Sequence, residues 1–208
     1  MDKSTLRKAK TALKKDPVLS PLIQQVKPLI LESSGNVYRE LVKNIVYQQI
    51  SYKAADSIYN KFLNLIATEA FFPEDIIKTS HESLRSAGLS NQKAQYIRNI
   101  SEFFEDKQLY DFNWQALSDE EIIALLTQIK GVGVWTSKMI LIFELLRPDV
   151  WPYEDLAIQH VMKELYGLNE EKKALFQKME KIASDWRPYR TIAGLYLWSY
   201  RRWQYSNP

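Results

Sequence analysis

LLTQIKGVGVWTSKMILIFELLRPDVWPYED, residues 125–155, is the stretch from which the architecture of this chain is inferred. Apolar segments flank the triplet Gly131-Val132-Gly133, and a loop rich in proline and aromatic residues leads to Asp155. Glycine lets backbone N–H groups approach phosphate oxygens closely, and the following helix points its positive end at the same anion. The stretch therefore indicates a hairpin between two helices that contacts a nucleic-acid backbone. By its spacing alone, however, the triplet is more typical of a tight turn between helices.

The rest of the chain has the periodicity of helices. Apolar residues recur three or four positions apart along most of it, and no segment shows a convincing strand alternation. Ser51 and Ser90 are predicted N-caps, and Ser118 with Glu121 forms a capping-box pattern. Residues 135–146 are predicted to form one helix after the hairpin. These features predict an all-α protein with short connections.

Composition limits the classes of protein that remain. The chain has 208 residues, 46% of them hydrophobic and 25% charged, which fits one globular domain or two small lobes. A net charge of +3 permits a nucleic-acid partner without requiring one. The absence of cysteine excludes disulfides, thiolate zinc sites and iron–sulfur clusters. No secretory signal or membrane-length apolar run is recognised, so we expect a soluble intracellular protein with no membrane partner.

Five segments together resemble one family of DNA repair enzymes. Residues 129–138, IKGVGVWTSK, resemble the helix-hairpin-helix of the DNA glycosylase superfamily, and residues 151–158, WPYEDLAI, resemble its catalytic loop. Three further segments resemble the 3-methyladenine DNA glycosylase II branch, which excises alkylated bases: YQQISYKAADSIYNKF (47–62), GLSNQKAQYIRNIS (88–101) and WRPYRTIAGLYLW (186–198). Their order along the chain is more specific than any single motif.

The resemblance implies a helix-hairpin-helix glycosylase fold with two helical lobes astride an active-site cleft. It implies a single domain over residues 1–208, in which one lobe comprises residues 1–36 and 150–208. The other lobe comprises residues 37–149 and contains the hairpin at 125–138.

The resemblance also assigns a catalytic carboxylate. Breaking an N-glycosidic bond gives the sugar oxocarbenium character, which a nearby carboxylate stabilises. Asp155 matches the family's catalytic aspartate, whereas the neighbouring Glu154 does not match its register. Asp155 is also a predicted helix N-cap, and capping is the commonest role of such an aspartate. Both roles are compatible.

Aromatic residues are expected to bind the damaged base. Many alkylated purines are cationic, and a cation over an aromatic ring is stabilised by roughly 0.5–2 kcal/mol. Trp135, Tyr153 and Tyr189 are the candidates, with core packing as the alternative for each, while Trp198 is assigned to packing. Met139 replaces an aromatic residue of the family, which leaves the substrate range open.

Trp135 also indicates the reaction type. Relatives that cleave the strand through a Schiff base carry a lysine at this position, two residues after Gly133. Lys138 lies one helical turn later and matches no such role. The resemblance therefore implies a monofunctional enzyme that leaves an abasic site.

Further residues are expected to contact DNA. Ile50 matches the family's intercalating residue, with Gln49 beside it, although an isoleucine between two helices is usually a core residue. The expected backbone contacts lie in and after the hairpin: Gly131, Gly133, Lys130, Thr136 and Lys138.

No cofactor is expected to be required. The family's hairpin commonly binds a monovalent cation, Na⁺ or K⁺, through backbone carbonyls, which here belong to Thr127, Ile129 and Val132. His81 and His160 have no metal-ligand partner at suitable spacing and are expected to be ordinary surface or packing residues.

The sequence thus predicts a monofunctional DNA glycosylase, expected to be a monomer, that flips and excises alkylated bases of the 3-methyladenine type from duplex DNA. It would act in base excision repair, in the cytoplasm of a bacterium or the nucleus of a eukaryote. The alternatives are a non-catalytic DNA-binding module, a glycosylase for deaminated or oxidised bases, and a helical interaction domain without nucleic acid. The ranking of 3-methyladenine, 7-methylguanine, ethenoadenine and hypoxanthine as substrates stays open.

Overall fold

The computed structural model describes residues 1–66 and 70–206, and all regular secondary structure in these ranges is helical. The prediction of an all-α protein is confirmed. The α-helices are α1 (Lys3–Leu13), α2 (Leu19–Gln25), α3 (Val37–Tyr47), α4 (Tyr52–Leu65), α5 (Pro73–Lys78), α6 (His81–Ser86), α7 (Asn91–Asp106), α8 (Asp119–Leu126), α9 (Val134–Met139), α10 (Leu156–Tyr166), α11 (Lys172–Ser184) and α12 (Arg190–Ser206). None of these helices is long and apolar enough to cross a membrane.

Local capping explains where several helices begin. The side chains of Ser51 and Ser90 accept hydrogen bonds from backbone N–H groups three residues later, at the starts of α4 and α7. Ser118 and Glu121 form the reciprocal capping box at the start of α8. The three predicted helix starts are confirmed, because each depends on residues within one turn.

The helix predicted over residues 135–146 changes type along its length. The α-helical hydrogen bonding of α9 ends at Met139 and gives way to a π-helix at Ile140–Glu144. Leu146 has a φ of 54°, and the N–H of Arg147 donates to the carbonyl of Leu141 at 2.9 Å. The segment therefore ends in a wider turn than apolar periodicity alone predicts.

The chain divides into two compact units. One comprises Ser33–Ile140, and the other comprises Met1–Glu32 with the chain from Leu141 onward.

In the unit formed by Ser33–Ile140, α7 is packed against α3, α5 and α6. Its inward face is fully buried at Ala94, Ile97 and Ile100. The Tyr38 hydroxyl of α3 is hydrogen-bonded to Ser101 Oγ of α7 at 2.8 Å, so both buried polar groups are satisfied. Helix α7 is thus the common packing partner of α3, α5 and α6.

In the other unit, α10 packs against α12, and the first two helices also pack on α12. Asp16 connects these parts. Its Oδ2 accepts hydrogen bonds from the Tyr166 hydroxyl and from Trp186 Nε1, each at 2.8 Å, while its Oδ1 accepts from the N–H groups of Val18 and Leu19. One carboxylate thus caps α2 and links the N-terminal helices to α10 and the loop before α12.

Candidate active site

Asp155 is the N-cap of α10 and is held by three donors. Its Oδ1 accepts hydrogen bonds from the backbone N–H groups of Ala157 and Ile158 and from Nε1 of Trp198, each at 3.0 Å. The carboxylate is only partly buried. The helix start and the indole therefore fix its orientation while part of the residue remains accessible.

Trp198 was assigned to packing from the sequence, and the structure gives it a second function. Its ring does pack against Phe143, with the centroids 5.6 Å apart, but its indole N–H is directed at Asp155. Residues 155 and 198 are 43 positions apart in sequence, so no local pattern connects them. The only available signal was general, since a buried tryptophan N–H usually requires an acceptor.

The loop before Asp155 is fastened to the first turn of α12. Thr191 Oγ1 donates to the carbonyl of Arg147 at 2.7 Å and accepts from the N–H of Val150 at 2.9 Å. Arg190 donates to Asp149 through its Nε at 2.9 Å. Because α12 also carries Trp198, the same helix positions the loop and its carboxylate.

The two tyrosines predicted to line a base pocket are both half-buried in this unit. The ring of Tyr153 lies 5.1 Å from that of Phe176, and burial, with a smaller contribution from Glu154, raises the pKa of its hydroxyl. Tyr189 packs against the apolar core of the unit, and its N–H donates to the carbonyl of Trp186 at 2.8 Å. Both rings thus combine packing with partial exposure.

The hairpin lies in the other unit, between α8 and α9. Gly131 has a φ of +109°, and a Cβ atom at this position would lie 2.3 Å from Cγ of Tyr96. Gly133 is the N-cap of α9 in an extended conformation, and a Cβ there would meet nothing within 4 Å. Asn99 Nδ2 donates to the carbonyl of Lys130 at 2.9 Å, so α7 supports the hairpin from behind. Position 131 requires glycine because of its positive φ and the close approach of Tyr96, whereas a side chain at position 133 would extend into open space.

The other predicted hairpin residues differ in exposure. Lys130 is exposed, while Trp135 and Lys138 are half-buried. Thr136 was predicted to contact DNA, yet it is 3% exposed and its Oγ1 accepts a hydrogen bond from Gln48 Nε2 at 3.3 Å. The Thr136 side chain thus makes an internal contact, and the contact of this residue with DNA stays a prediction.

The carbonyls proposed for a cation lie where α8 ends. Thr127 is the C-cap of α8, and the Ile129 carbonyl accepts one hydrogen bond, from the N–H of Val132 at 3.0 Å. A carbonyl oxygen has two lone pairs, and oxygen is the ligand that hard cations prefer. These carbonyls are of the ligand type that such a cation needs, and its binding here stays a prediction. Among the described residues, no group of three or more His, Cys, Asp or Glu side chains could hold a metal.

Residues 48–51 form an exposed turn between α3 and α4. Gln49 has a φ of +57°, which is uncommon for a residue other than glycine, and its side chain is exposed. Ile50 is 38% exposed, so it lies outside the core rather than within it. The turn therefore presents an apolar side chain to solvent.

Comparisons with known proteins agree with this architecture. Residues 42–185 match the family described as the HhH-GPD superfamily base excision DNA repair protein. The chain is 34% identical to an alkylbase DNA glycosidase-like protein of Schizosaccharomyces pombe, over 86% of this chain and 85% of that protein. It is 36% identical to DNA-3-methyladenine glycosylase 1 of the same yeast, over 77% of this chain and 71% of the relative.

Solved structures give the same result in three dimensions. The crystal structure of DNA-3-methyladenine glycosidase from Bacillus halodurans superposes with a TM-score of 0.81 at 34% identity, covering 95% of this chain and 90% of that one. The Schizosaccharomyces pombe 3-methyladenine DNA glycosylase in complex with abasic DNA superposes with a TM-score of 0.77 at 32% identity, covering 92% and 95% of the two chains.

Proposed function

Because the chain belongs to the HhH-GPD superfamily of base excision DNA repair proteins, we propose that it excises alkylated bases from duplex DNA with Asp155 as its catalytic carboxylate. The chain is a DNA glycosylase of the 3-methyladenine branch, an enzyme that hydrolyses N-glycosyl bonds. The observation that carries the catalytic assignment is the fixed orientation of Asp155, whose Oδ1 accepts three hydrogen bonds at 3.0 Å.

In the proposed reaction, the bond between C1′ of the sugar and the base nitrogen breaks, and its electron pair leaves with the base. The Asp155 carboxylate stabilises the positive charge that develops on the sugar. A water molecule then adds to C1′ and gives up a proton to the carboxylate, which passes it to solvent. A cationic base leaves as a neutral molecule, so its departure requires no general acid. The products are the free base and an abasic site.

We assign the recognition of the base to aromatic rings. Tyr153, two residues before Asp155, and Tyr189 are the candidates in the same unit as Asp155, and Trp135 is the candidate beside the hairpin. An electron-rich ring face attracts a cationic purine more strongly than the neutral base, which gives selectivity for alkylated bases.

Trp135 supports a monofunctional mechanism. A strand-cleaving glycosylase needs an amine that attacks C1′ to form a Schiff base, and an indole cannot supply one. The reaction on this chain therefore ends at the abasic site.

Reaching the bond requires the nucleotide to leave the duplex, at an unstacking cost of a few kcal/mol. In this proposal Ile50 enters the vacated space and Gln49 contacts the neighbouring base. Backbone N–H groups at Gly131 and Gly133, with Lys130 and Lys138, bind the phosphates. The carbonyls of Thr127, Ile129 and Val132 would hold Na⁺ or K⁺, which neutralises phosphate charge when bound.

We further propose that both compact units belong to one glycosylase domain and that the enzyme acts as a monomer on duplex DNA. Relatives occur in bacteria and yeasts, so the expected location is the cytoplasm or the nucleus respectively.

The proposal is tested by incubating the protein with duplexes that carry methylated, deaminated or oxidised bases and identifying the released bases by mass spectrometry. Release of 3-methyladenine or 7-methylguanine by the native protein, with Asp155→Asn inactive, is the expected result. Salt-dependent binding without release would favour a non-catalytic DNA-binding module. Release confined to hypoxanthine or oxidised bases, or a protein–DNA adduct trapped by borohydride, would favour the other class of glycosylase.

A further inference from the structure

The exposed turn at residues 48–51 requires something to hold it. Gln49 occupies the left-handed region, which disfavours a residue with a side chain, and such conformations persist only where the surroundings enforce them. The turn also follows the C-terminal end of α3, where backbone carbonyls have no partner within the helix. Both features would favour relaxation of an unsupported turn.

Lys93 supplies a support for this turn from another helix. Its Nζ donates to the carbonyls of Val46 and Gln48, each at 2.7 Å. These two carbonyls flank the point at which α3 ends at Tyr47. A cation at the C-terminal end of a helix complements both the unpaired carbonyls and the helix dipole.

The position of Lys93 in its own helix is otherwise unfavourable. It lies three residues after the N-cap Ser90, in the first turn of α7, where the helix dipole disfavours a positive charge. The side chain is half-buried, and burial lowers the pKa of its ammonium group. The ammonium group is thus disfavoured at this end of its own helix, and its Nζ donates instead to the two carbonyls at the end of α3.

A second contact restrains the same turn. Gln48 Nε2 donates to Thr136 Oγ1 at 3.3 Å, which connects the turn to α9 just after the hairpin. On the far side, Ser51 caps α4. Gln49 and Ile50 lie between these restraints, with their side chains exposed.

We propose that Lys93 is a positioning residue for base extrusion: by binding the carbonyls of Val46 and Gln48, it holds the turn so that Ile50 points into the DNA. This inference rests on the proposed function, because it assigns Ile50 the role of the intercalating side chain. Lys93 acts through the turn and does not itself touch the reacting atoms.

The test compares Lys93→Met, which removes the ammonium, with Lys93→Arg, which retains a donor. Lys107→Met, an exposed lysine at the C-terminal end of the same helix, is the matched control. Excision of 7-methylguanine is measured under single-turnover conditions in a fully paired duplex and in a duplex where the lesion is bulged. The excision rate of Lys93→Met is expected to fall about tenfold on the paired duplex and much less on the bulged one. Lys93→Arg should recover part of the native rate. Lys107→Met should match the native protein on both.

A double-mutant cycle separates positioning from a general structural role. If Lys93 acts through Ile50, Lys93→Met should add little to the loss already caused by Ile50→Ala. An equal loss in both backgrounds, or an equal loss on paired and bulged lesions, would overturn the proposal. A native rate for Lys93→Met would also overturn it. If that variant is unfolded at the assay temperature, Lys93→Gln takes its place and the same criteria apply.

A binding measurement keeps this inference distinct from the proposed catalysis. The probe is a duplex with a tetrahydrofuran abasic analogue opposite 2-aminopurine, whose fluorescence rises when the base is unstacked. Native protein and Lys107→Met should raise the fluorescence, and Lys93→Met should raise it less. If the native protein excises no alkylated base but this pattern holds, catalysis fails and the positioning role stands. If excision occurs and the fluorescence is the same in all variants, the positioning role fails alone.

Discussion

Nε1 of Trp198 lies 3.0 Å from Oδ1 of Asp155 and donates a hydrogen bond to it. The same oxygen accepts two backbone hydrogen bonds from the first turn of α10. Of these three donors, the indole of Trp198 is the one that lies outside α10. Trp198 belongs to α12, whose first turn also fastens the loop that leads to Asp155. The orientation of the proposed catalytic carboxylate therefore depends on a helix distant in sequence.

The Trp198→Phe substitution should raise the activation free energy of base excision by more than it lowers the free energy of unfolding. The substitution keeps an aromatic ring against Phe143 but removes the donor to Asp155, and a hydrogen bond to a charged group contributes about 1.5–3 kcal/mol. We expect the single-turnover rate on methylated duplex DNA to fall about tenfold or more. Trp203→Phe, at a partly exposed position near the end of α12, is the control and should retain the native rate. A native rate in Trp198→Phe would contradict this role.

Asp155→Asn should separate catalysis from helix capping. Asparagine is as good an N-cap as aspartate, so the free energy of unfolding should change by less than about 1 kcal/mol. The charge that stabilises the sugar cation is lost, and excision should fall by at least roughly 100-fold. Asp155→Ala should lose both activity and about 1 kcal/mol of stability, measured by urea denaturation. An active Asn variant would show that the residue is only a cap.

The two hairpin glycines should differ in their tolerance of alanine. Gly131→Ala combines a left-handed φ with a Cβ placed 2.3 Å from Tyr96, and we expect a loss of about 2–4 kcal/mol in the free energy of unfolding. Gly133→Ala meets no atom within 4 Å and has a φ of −99°, so its loss should stay within about 1 kcal/mol. Urea denaturation of the pair checks the order. Equal losses would show that the close approach of Tyr96 relaxes readily.

Asp16→Ala should be strongly destabilising. It leaves the Trp186 indole N–H and the Tyr166 hydroxyl without their acceptor and uncaps α2. The expected loss is about 2–4 kcal/mol, seen as a lower midpoint of thermal or urea denaturation. Asp185→Ala, an exposed acid at the end of α11, is the control and should lie within about 0.5 kcal/mol of the native protein. A small loss in Asp16→Ala would show that water replaces the carboxylate.

Tyr166 should contribute to the loss of stability at high pH and not at low pH. Burial, and then the hydrogen bond to Asp16, raises the pKa of this tyrosine far above its ordinary value. Its folded pKa exceeds the unfolded one, so the associated stability is complete below the unfolded pKa and is lost as the pH rises above that value. Tyr166→Phe should therefore flatten the loss of stability in alkaline solution, measured by denaturation between about pH 9 and pH 11.

The helical class and several helix starts were predictable from sequence, because they depend on interactions within one or two turns. The Ser118 and Glu121 capping box is complete within four residues, and Asp155 could be identified as an N-cap for the same reason. The roles of Asp155, Trp135 and Ile50 came from resemblance and remain proposals.

Contacts between distant segments were outside the reach of sequence patterns. Sequence determined which side chains were available: an acid before α10, a glycine pair and an isoleucine between two helices. Tertiary structure alone decided that Trp198 contacts Asp155, that Lys93 binds the end of α3, and that Tyr96 lies over Gly131. A hydrogen bond depends on angle and on distances of a few tenths of an ångström, which helix packing sets and local spacing does not.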